Sequence, residues 1–321
     1  MAAYSMRVQI ADLILRFETE SESESGSLKA FFKYHVTDTD QPEDCTVVLK
    51  RQTAFYMPKD AQILWQSRRQ GIEEPEGQLG RRRIAVSSKL EPFGIASCYV
   101  SRTRDTYYYG QMRDNTWISY CPSTRRIDYI LRPTVDVISA MPLLMHVVAT
   151  THGRYLFHGG AVALNGKAHL FLGKSGSGKS TLSTDLAQRK AAFMSDDLVL
   201  VYIRDGVPMV GSLLFRAKLY MESAEEKSEI DIPAAMQTGY CLSAPLEAVY
   251  LVQQSGEEIS RLEKRPADEL LQQLMEASND MSMQYDKQQW LAMLFEISER
   301  LPYYIFHFGN RATLDPSILL T

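Results

Sequence analysis

The chain has 321 residues, of which 45% are hydrophobic and 23% are charged. This composition excludes a fibrous or disordered chain, and the length favours two domains that each bury a core. The net charge of −4 at pH 7 gives no overall field that would attract nucleic acid or an anionic membrane. The sequence therefore predicts no nucleic-acid partner and no membrane partner.

Cysteine spacing and the amino terminus bear on the cellular compartment. Cys45, Cys98, Cys121 and Cys241 stand far apart without a C-x-x-C pair, which argues against a zinc site and against a disulfide framework. Residues 1–9 contain no apolar segment of signal-peptide length, and no window reaches the ~18 uninterrupted apolar residues of a membrane span. We therefore expect a soluble, cytoplasmic protein with reduced thiols.

Residues 1–133 form a succession of short segments rich in Val, Ile, Thr and aromatic residues, which is typical of antiparallel β structure. The predicted strands are 6–17, 30–36, 46–52, 62–66, 82–87, 96–102, 106–112, 116–120 and 128–131. Residues 18–27 alternate glutamate and serine without an apolar residue, so we expect a mobile, solvated loop there. We interpret this half as a β-rich accessory or substrate-recognition domain.

The pattern changes near Pro133, where we place the domain boundary. Residues 135–150 carry apolar side chains at helical spacing, and beyond them strands and helices alternate. The predicted strands are 155–158, 160–164, 169–172, 198–202, 249–253 and 303–308. One helix is predicted to begin at Pro266, and a second is predicted over 287–300. Residues 134–321 are therefore predicted to form an α/β nucleotide-binding domain, in a chain that is α+β overall.

Residues Gly173 to Ser180 match the phosphate-loop pattern G-x-x-x-x-G-K-[ST] at every specified position. Glycines let the backbone amides surround a phosphate, Lys179 neutralises phosphate charge, and the Ser180 hydroxyl ligates Mg²⁺. An apolar run at 168–172 predicts the preceding strand, and helical spacing at 181–189 predicts the following helix. The sequence thus predicts ATP and Mg²⁺ as cofactors, against the alternative of a Gly/Ser-rich turn. The predicted nucleotide-binding residues of this segment are Gly173, Lys174, Ser175, Gly176, Ser177, Gly178, Lys179, Ser180 and Thr181.

Two adjacent carboxylates, Asp196 and Asp197, interrupt a strand-like segment after the loop. Adjacent side chains on a strand point in opposite directions, so both carboxylates reach one site only at a strand end or tight turn. There, one carboxylate would reach Mg²⁺ and the other the acceptor hydroxyl; the alternative is an ordinary Asp-Asp turn. Further along, strand alternation places Arg216 and Lys218 on one face, either to bind the γ-phosphate or simply to face solvent.

The order of His158-Gly159, the phosphate loop and Asp196-Asp197 within residues 155–202 resembles the catalytic domain of the HPr kinase/phosphorylase family. The resemblance implies an HPr kinase-like P-loop fold in which Asp196 is the general base toward a serine hydroxyl and His158 orients it. It also implies that Ser180 and Asp197 lie beside Mg²⁺. The arginine- and glycine-rich segment that accompanies phosphorolysis in that family is not recognisable between residues 202 and 240. The plan of the chain looks most like HPr kinase-like proteins that phosphorylate serine in lasso-peptide precursors.

These residues lead to one function and two alternatives. The leading hypothesis is a kinase that uses ATP and Mg²⁺, with Asp196, His158 and Lys179 as catalytic residues, to phosphorylate a serine of a small peptide or protein. The alternatives are a nucleotide-dependent switch or ATPase without a phosphoacceptor, and a small-molecule kinase. The sequence leaves the acceptor, the formation of a homo-oligomer and the reversibility of phosphorylation open.

Overall fold

A computed structural model describes residues 3–53, 62–66, 98–103, 105–111, 116–138, 141–220, 227–255, 257–278 and 287–320. The chain divides into two compact units, and the division falls between Val148 and Ala149, after the boundary predicted at Pro133. Among the described helices, none is long and apolar enough to cross a membrane. The predicted strand at 82–87 lies outside the described residues.

The first unit is built on a mixed sheet. Its elements are β1 (Tyr4–Ile10), β2 (Leu13–Thr19), α1 (Glu22–Phe31), β3 (Cys45–Arg51), β4 (Gln62–Gln66), β5 (Cys98–Arg102), β6 (Tyr107–Gln111), β7 (Thr116–Cys121), β8 (Arg126–Leu131) and most of α2 (Met141–Thr151). The eight described strands follow the order β1-β2-β3-β8-β7-β6-β5-β4. The β2–β3 and β3–β8 pairs are parallel and the other pairs of this sheet are antiparallel, so the antiparallel structure expected from the sequence accounts for only part of it.

One predicted strand is in fact a hairpin. Residues 6–17 divide into β1 and β2, which pair antiparallel from Tyr4 opposite Thr19 to Ile10 opposite Leu13. The turn between them contains Ala11 in the left-handed region with φ 56°. Neither turn residue is the glycine or asparagine that signals such a turn, so the apolar pattern concealed it.

The expected mobile loop at 18–27 is wrong, because most of it belongs to helix α1. Ser21 caps the helix by accepting a hydrogen bond from the Glu24 amide, and Glu24 also pairs with Arg51 at 2.6 Å. Leu28, one residue past the predicted loop, is fully buried and anchors the helix. The predicted strand at 30–36 is also wrong. These residues contain the end of α1 and, at Val36, a single β-bridge to Val8.

The helix predicted at 135–150 is shorter than expected and begins at Met141. Before it, the Asp136 carboxylate accepts a hydrogen bond from the Ile138 amide at 3.1 Å, and the Tyr129 hydroxyl donates to the Val137 carbonyl at 3.0 Å. These bonds give the backbone an alternative to the helix.

The second unit contains the phosphate-loop segment. Its elements are β9 (Arg154–His158), β10 (Gly160–Leu164), β11 (Lys167–Leu172), α3 (Lys179–Gln188), β12 (Ala192–Ser195), β13 (Leu198–Arg204), β14 (Val207–Ser212), β15 (Arg216–Tyr220), β16 (Lys227–Asp231), α4 (Ile232–Met236), β17 (Ser243–Gln254), β18 (Arg261–Arg265), α5 (Ala267–Ala277), α6 (Lys287–Arg300) and β19 (Tyr303–Phe308). Nine described strands follow the order β12-β10-β11-β17-β14-β13-β9, with β19 beside β17 and β18 beside β19. The α+β fold expected from the sequence is confirmed.

Strand β11 is covered on both faces, and this fixes where the phosphate loop begins. Leu170 and Leu172 pack in the core that includes Leu274 of α5. Phe171 points the other way and packs with Leu182 and Leu186 of α3. Each of these buried leucines contributes roughly 1.5–3 kcal/mol relative to an exposed position. The packing holds the carboxyl end of β11, and the loop after it, against the start of α3.

Candidate active site

The loop between β11 and α3 has the backbone that a phosphate loop requires. Gly173, Gly176 and Gly178 have φ of +143°, +82° and +101°, values that side chains with a Cβ atom rarely adopt. A Cβ added to Gly173 would also lie 2.9 Å from the carbonyl oxygen of Val252. The loop leads directly into the amino terminus of α3, where free backbone amides favour an anion.

Lys179 is held inside this loop rather than extended into solvent. Its side chain is buried, and Nζ donates to the carbonyl oxygens of Gly173 at 2.8 Å and Lys174 at 3.0 Å. Lys174, by contrast, is exposed. The loop therefore fixes one positive charge at its own mouth, where triphosphate oxygens would need it.

Asp196 and Asp197 form the turn between β12 and β13, a position that both the shared-site prediction and the ordinary-turn alternative expect. Asp197 takes a left-handed conformation with φ 62°, which costs an ordinary side chain about 1 kcal/mol. The two aspartates differ in solvent exposure, because Asp196 is 2% exposed whereas Asp197 is half-buried. One turn thus supplies a buried acid and an accessible one.

Asp196 has the chemistry expected of a base that works near neutrality. The pKa of Asp196 is raised to about 7, first by burial and then by the charge on Asp197. The Ser180 hydroxyl and Lys179 oppose this shift and lower its pKa. Neither carboxylate oxygen makes a hydrogen bond of normal geometry with a described residue, so Ser180 is a neighbour rather than a fixed partner. The carboxylate is buried and ready to accept a proton.

His158 lies at the end of β9, opposite Leu198 in the β9–β13 pair. Its Nδ1 lies 3.2 Å from the backbone carbonyl oxygen of Asp197. The histidine thus reaches the aspartate turn through the backbone of Asp197, and its predicted role in orienting Asp196 stays a prediction. Burial, followed by the charge of Lys179, lowers the pKa of His158, which favours the neutral ring.

Two glycines, Gly159 and Gly160, follow His158. Gly159 was identified from the sequence only as part of the His158-Gly159 resemblance, and Gly160 was not recognised as part of the site. A Cβ on Gly159 would lie 2.7 Å from the Phe171 carbonyl oxygen, and a Cβ on Gly160 would lie 2.5 Å from Ser183 Oγ and 3.5 Å from Asp196 Oδ1. These glycines allow β10, α3 and the aspartate turn to approach closely. A Gly-Gly pair at the start of a predicted strand was the available signal.

The predicted γ-phosphate cations lie on the β15–β16 hairpin. Arg216 pairs with Glu229 at 3.4 Å, and Lys218 stands opposite Glu229 in the strand register. A role for either residue at the triphosphate remains a prediction.

A cleft of about 670 Å³ opens beside the phosphate loop. The carboxyl ends of β11 and β17 form its floor, in the position where α/β sheets bind ligands. Helix α5 lines the opposite side. Polar side chains around it include His158, Lys174, Ser175, Gln253, Gln273 and Glu276.

The residues present suit ATP and Mg²⁺. Among the described residues no group of three or more His, Cys, Asp or Glu side chains could hold a metal ion. Mg²⁺ bound with a triphosphate needs only one or two protein oxygens, because phosphate and water supply the others. The Ser180 hydroxyl and the Asp197 carboxylate are such oxygens, and the glycine loop and Lys179 would hold the phosphates.

The raised pKa of Asp196 predicts a pH-dependent stability. The pKa of Asp196 in the folded protein is about 7 rather than 3.8. Its contribution to the free energy of unfolding is therefore fully present below about pH 4 and is lost as the pH rises through 7. The loss amounts to roughly 4 kcal/mol. Asp196→Asn should remove this loss. Buried His169, whose pKa is lowered to about 4, acts in the opposite direction in acid. The measurement is therefore the difference in unfolding free energy between wild type and variant from pH 4 to 8, and a constant difference would contradict the prediction.

Comparison with solved structures finds distant likenesses. No protein-family model and no curated protein matches the chain. A solved structure of the HPr(Ser) kinase/phosphatase from Coxiella burnetii matches with 12% sequence identity and a TM-score of 0.32, over 51% of this chain and 93% of that chain. At this level of similarity the likeness assigns no role to any residue of the chain.

Proposed function

We propose that this chain is a kinase that uses ATP and Mg²⁺ to phosphorylate a serine hydroxyl of a small peptide or protein. The observation that carries the proposal is Asp196, which is buried beside the phosphate loop with both oxygens unpartnered among the described residues. A hydroxyl is a weak nucleophile, and a carboxylate whose pKa is about 7 suits a base that takes its proton.

The residues divide the work in a defined way. When bound, Mg²⁺ would supply charge neutralisation to the phosphate oxygens. Lys179 and the loop amides hold the triphosphate, and Asp196 accepts the serine proton. The serine oxygen then bonds to the γ-phosphorus as the bond from that phosphorus to the β–γ bridging oxygen breaks, releasing ADP. His158 holds the backbone of the turn and so keeps Asp196 in place.

The cleft beside the loop supports a peptide as the acceptor. Its volume of about 670 Å³ exceeds what a serine side chain fills, and it is open to solvent between the loop and α5. A precursor peptide of the lasso type is the more specific acceptor proposed, on the plan of the chain, in which a β-rich half precedes the His-Gly pair, the phosphate loop, the aspartate pair and Leu301-Pro302. A closed pocket would have favoured a small-molecule kinase instead.

Peptide binding by strand addition at the β1 edge is disfavoured. The segment after α1 already pairs with this edge, because the Gln9 amide donates to His35 and the Thr37 amide donates to Arg7. An added peptide strand would have to displace these bonds. The cleft of the second unit is the better candidate for the acceptor.

The test compares phosphate transfer with phosphate release. We expect the full chain, with ATP and Mg²⁺, to place phosphate on a serine of a precursor peptide, as located by mass spectrometry, and to leave a serine-to-alanine peptide unmodified. Asp196→Asn is the catalytic control. ATP consumption without phosphoserine would favour the switch or ATPase, and phosphate confined to free small molecules would favour the small-molecule kinase.

A further inference from the structure

Ser195 is the last residue of β12 and directly precedes the aspartate pair. Its side chain is fully buried, and its hydroxyl donates to the Leu198 carbonyl oxygen at 2.5 Å. The hydroxyl oxygen also lies 3.1 Å from a second acceptor, the Leu214 carbonyl oxygen, and 3.5 Å from the Leu214 amide, which donates to it. One side chain therefore bridges the two ends of the turn that contains Asp196 and Asp197.

The same turn is held from its other side by β9 and the residue after it. His158 Nδ1 lies 3.2 Å from the Asp197 carbonyl oxygen, and the Gly159 amide donates to that oxygen at 3.4 Å. Within the turn, the Leu198 amide donates to the Asp196 carbonyl oxygen at 2.7 Å. The backbone of the turn is thus held by one hydrogen bond within the turn and by contacts from His158 and Gly159.

This turn needs such support because Asp197 adopts a left-handed conformation. A strained residue of this kind persists only where its surroundings determine the backbone. Asp196 adds a second reason, because neither of its carboxylate oxygens makes a hydrogen bond of normal geometry with a described residue. Its position is therefore set by the backbone and by packing, and the Ser195 hydroxyl adds a side-chain bond across the turn.

We infer that Ser195 is a positioning residue that holds the Asp196-Asp197 turn in the geometry needed for phosphoryl transfer. Its catalytic consequence rests on the proposed function, whereas its effect on the turn does not. The side chain is enclosed, so it acts through the backbone of the aspartates and not on a bound molecule.

The test uses Ser195→Ala with Ser212→Ala as its matched control. Ser212 is equally buried, and its hydroxyl donates to the Met194 carbonyl oxygen at 2.6 Å, so it ties β12 to β14 without bridging the turn. We expect Ser195→Ala to accelerate hydrogen exchange at the Gly159 and Leu198 amides by about tenfold or more relative to the rest of β12 and β13. Ser212→Ala should leave these two amides at their wild-type rates.

Turnover supplies the second readout. We expect Ser195→Ala to lower kcat for phosphoryl transfer by about tenfold or more while the KM for ATP changes little, since misplacing a base costs rate rather than nucleotide binding. Ser195→Thr keeps the hydroxyl and should restore much of the rate and of the amide protection.

Two results would overturn the inference. Exchange at Gly159 and Leu198 that is unchanged in Ser195→Ala would show that the hydroxyl does not hold the turn. Equal acceleration in Ser212→Ala would show a general loosening of the sheet. A wild-type protein that transfers no phosphate to any acceptor would count against the proposed function alone, because the exchange measurement does not depend on turnover.

Discussion

Lys179→Ala should abolish nucleotide-dependent turnover and raise the Kd for ATP with Mg²⁺ by about 10- to 100-fold. Hydrogen bonds to charged groups are each worth about 1.5–3 kcal/mol, and this lysine is the charge that the loop itself fixes, through Gly173 and Lys174. Calorimetry with ATP and Mg²⁺ gives the affinity, and ADP formation gives the turnover.

Lys167→Ala is the control, because Lys167 is an exposed lysine at the start of β11, at the other end of that strand from the loop. We expect it to change ATP affinity by less than about threefold, as is usual for an exposed charge. Wild-type binding and turnover in Lys179→Ala would mean that the loop does not hold a triphosphate.

Asp196→Asn should retain ATP affinity within a few-fold while it lowers phosphoryl transfer by ~10²–10⁴. The amide keeps the shape of the carboxylate but cannot accept the serine proton. In the wild type, the rate should rise as the pH passes through about 7, because the carboxylate with this raised pKa must be ionised to act as the base. The rate at saturating ATP, measured from pH 6 to 8, tests both statements.

Asp205→Asn provides the control for the same chemical change at an exposed aspartate, since Asp205 lies at the exposed turn between β13 and β14. It should transfer phosphate at the wild-type rate. If Asp196→Asn keeps more than a tenth of wild-type transfer, Asp197 becomes the candidate base.

The sequence predicted some elements of both units to the residue. Strands β4, β10 and β19 and helix α6 have the predicted bounds, whereas strands β12, β14, β16 and β18 of the second unit are not among those predicted. In the first unit, the order of parallel and antiparallel strands depends on contacts between distant segments, which local patterns do not record. Helix α1 was missed for a related reason, since Leu28 and Arg51 stabilise it from outside the glutamate- and serine-rich segment.

The site shows the same limit on a smaller scale. The phosphate loop and the aspartate pair could be found because their residue types are dictated by chemistry. The roles of Ser195 and Gly160 could not, because a buried serine and a glycine look ordinary until the backbone brings β10, α3 and the turn together. The contact of His158 with the Asp197 backbone was missed because residue types alone say nothing about backbone acceptors.

The close approach at Gly159 and Gly160 has a consequence for finding related proteins. A Cβ at Gly159 would collide with the Phe171 carbonyl oxygen, and a Cβ at Gly160 would collide with Ser183 Oγ. We therefore expect a chain that closes its aspartate against α3 in this way to keep both glycines, which here follow His158 fifteen residues before the phosphate loop. Many unrelated nucleotide-binding proteins contain a phosphate loop, and many chains contain paired aspartates. A search pattern that requires all three signatures at this spacing would separate chains able to build this enclosed base from those that share only the loop.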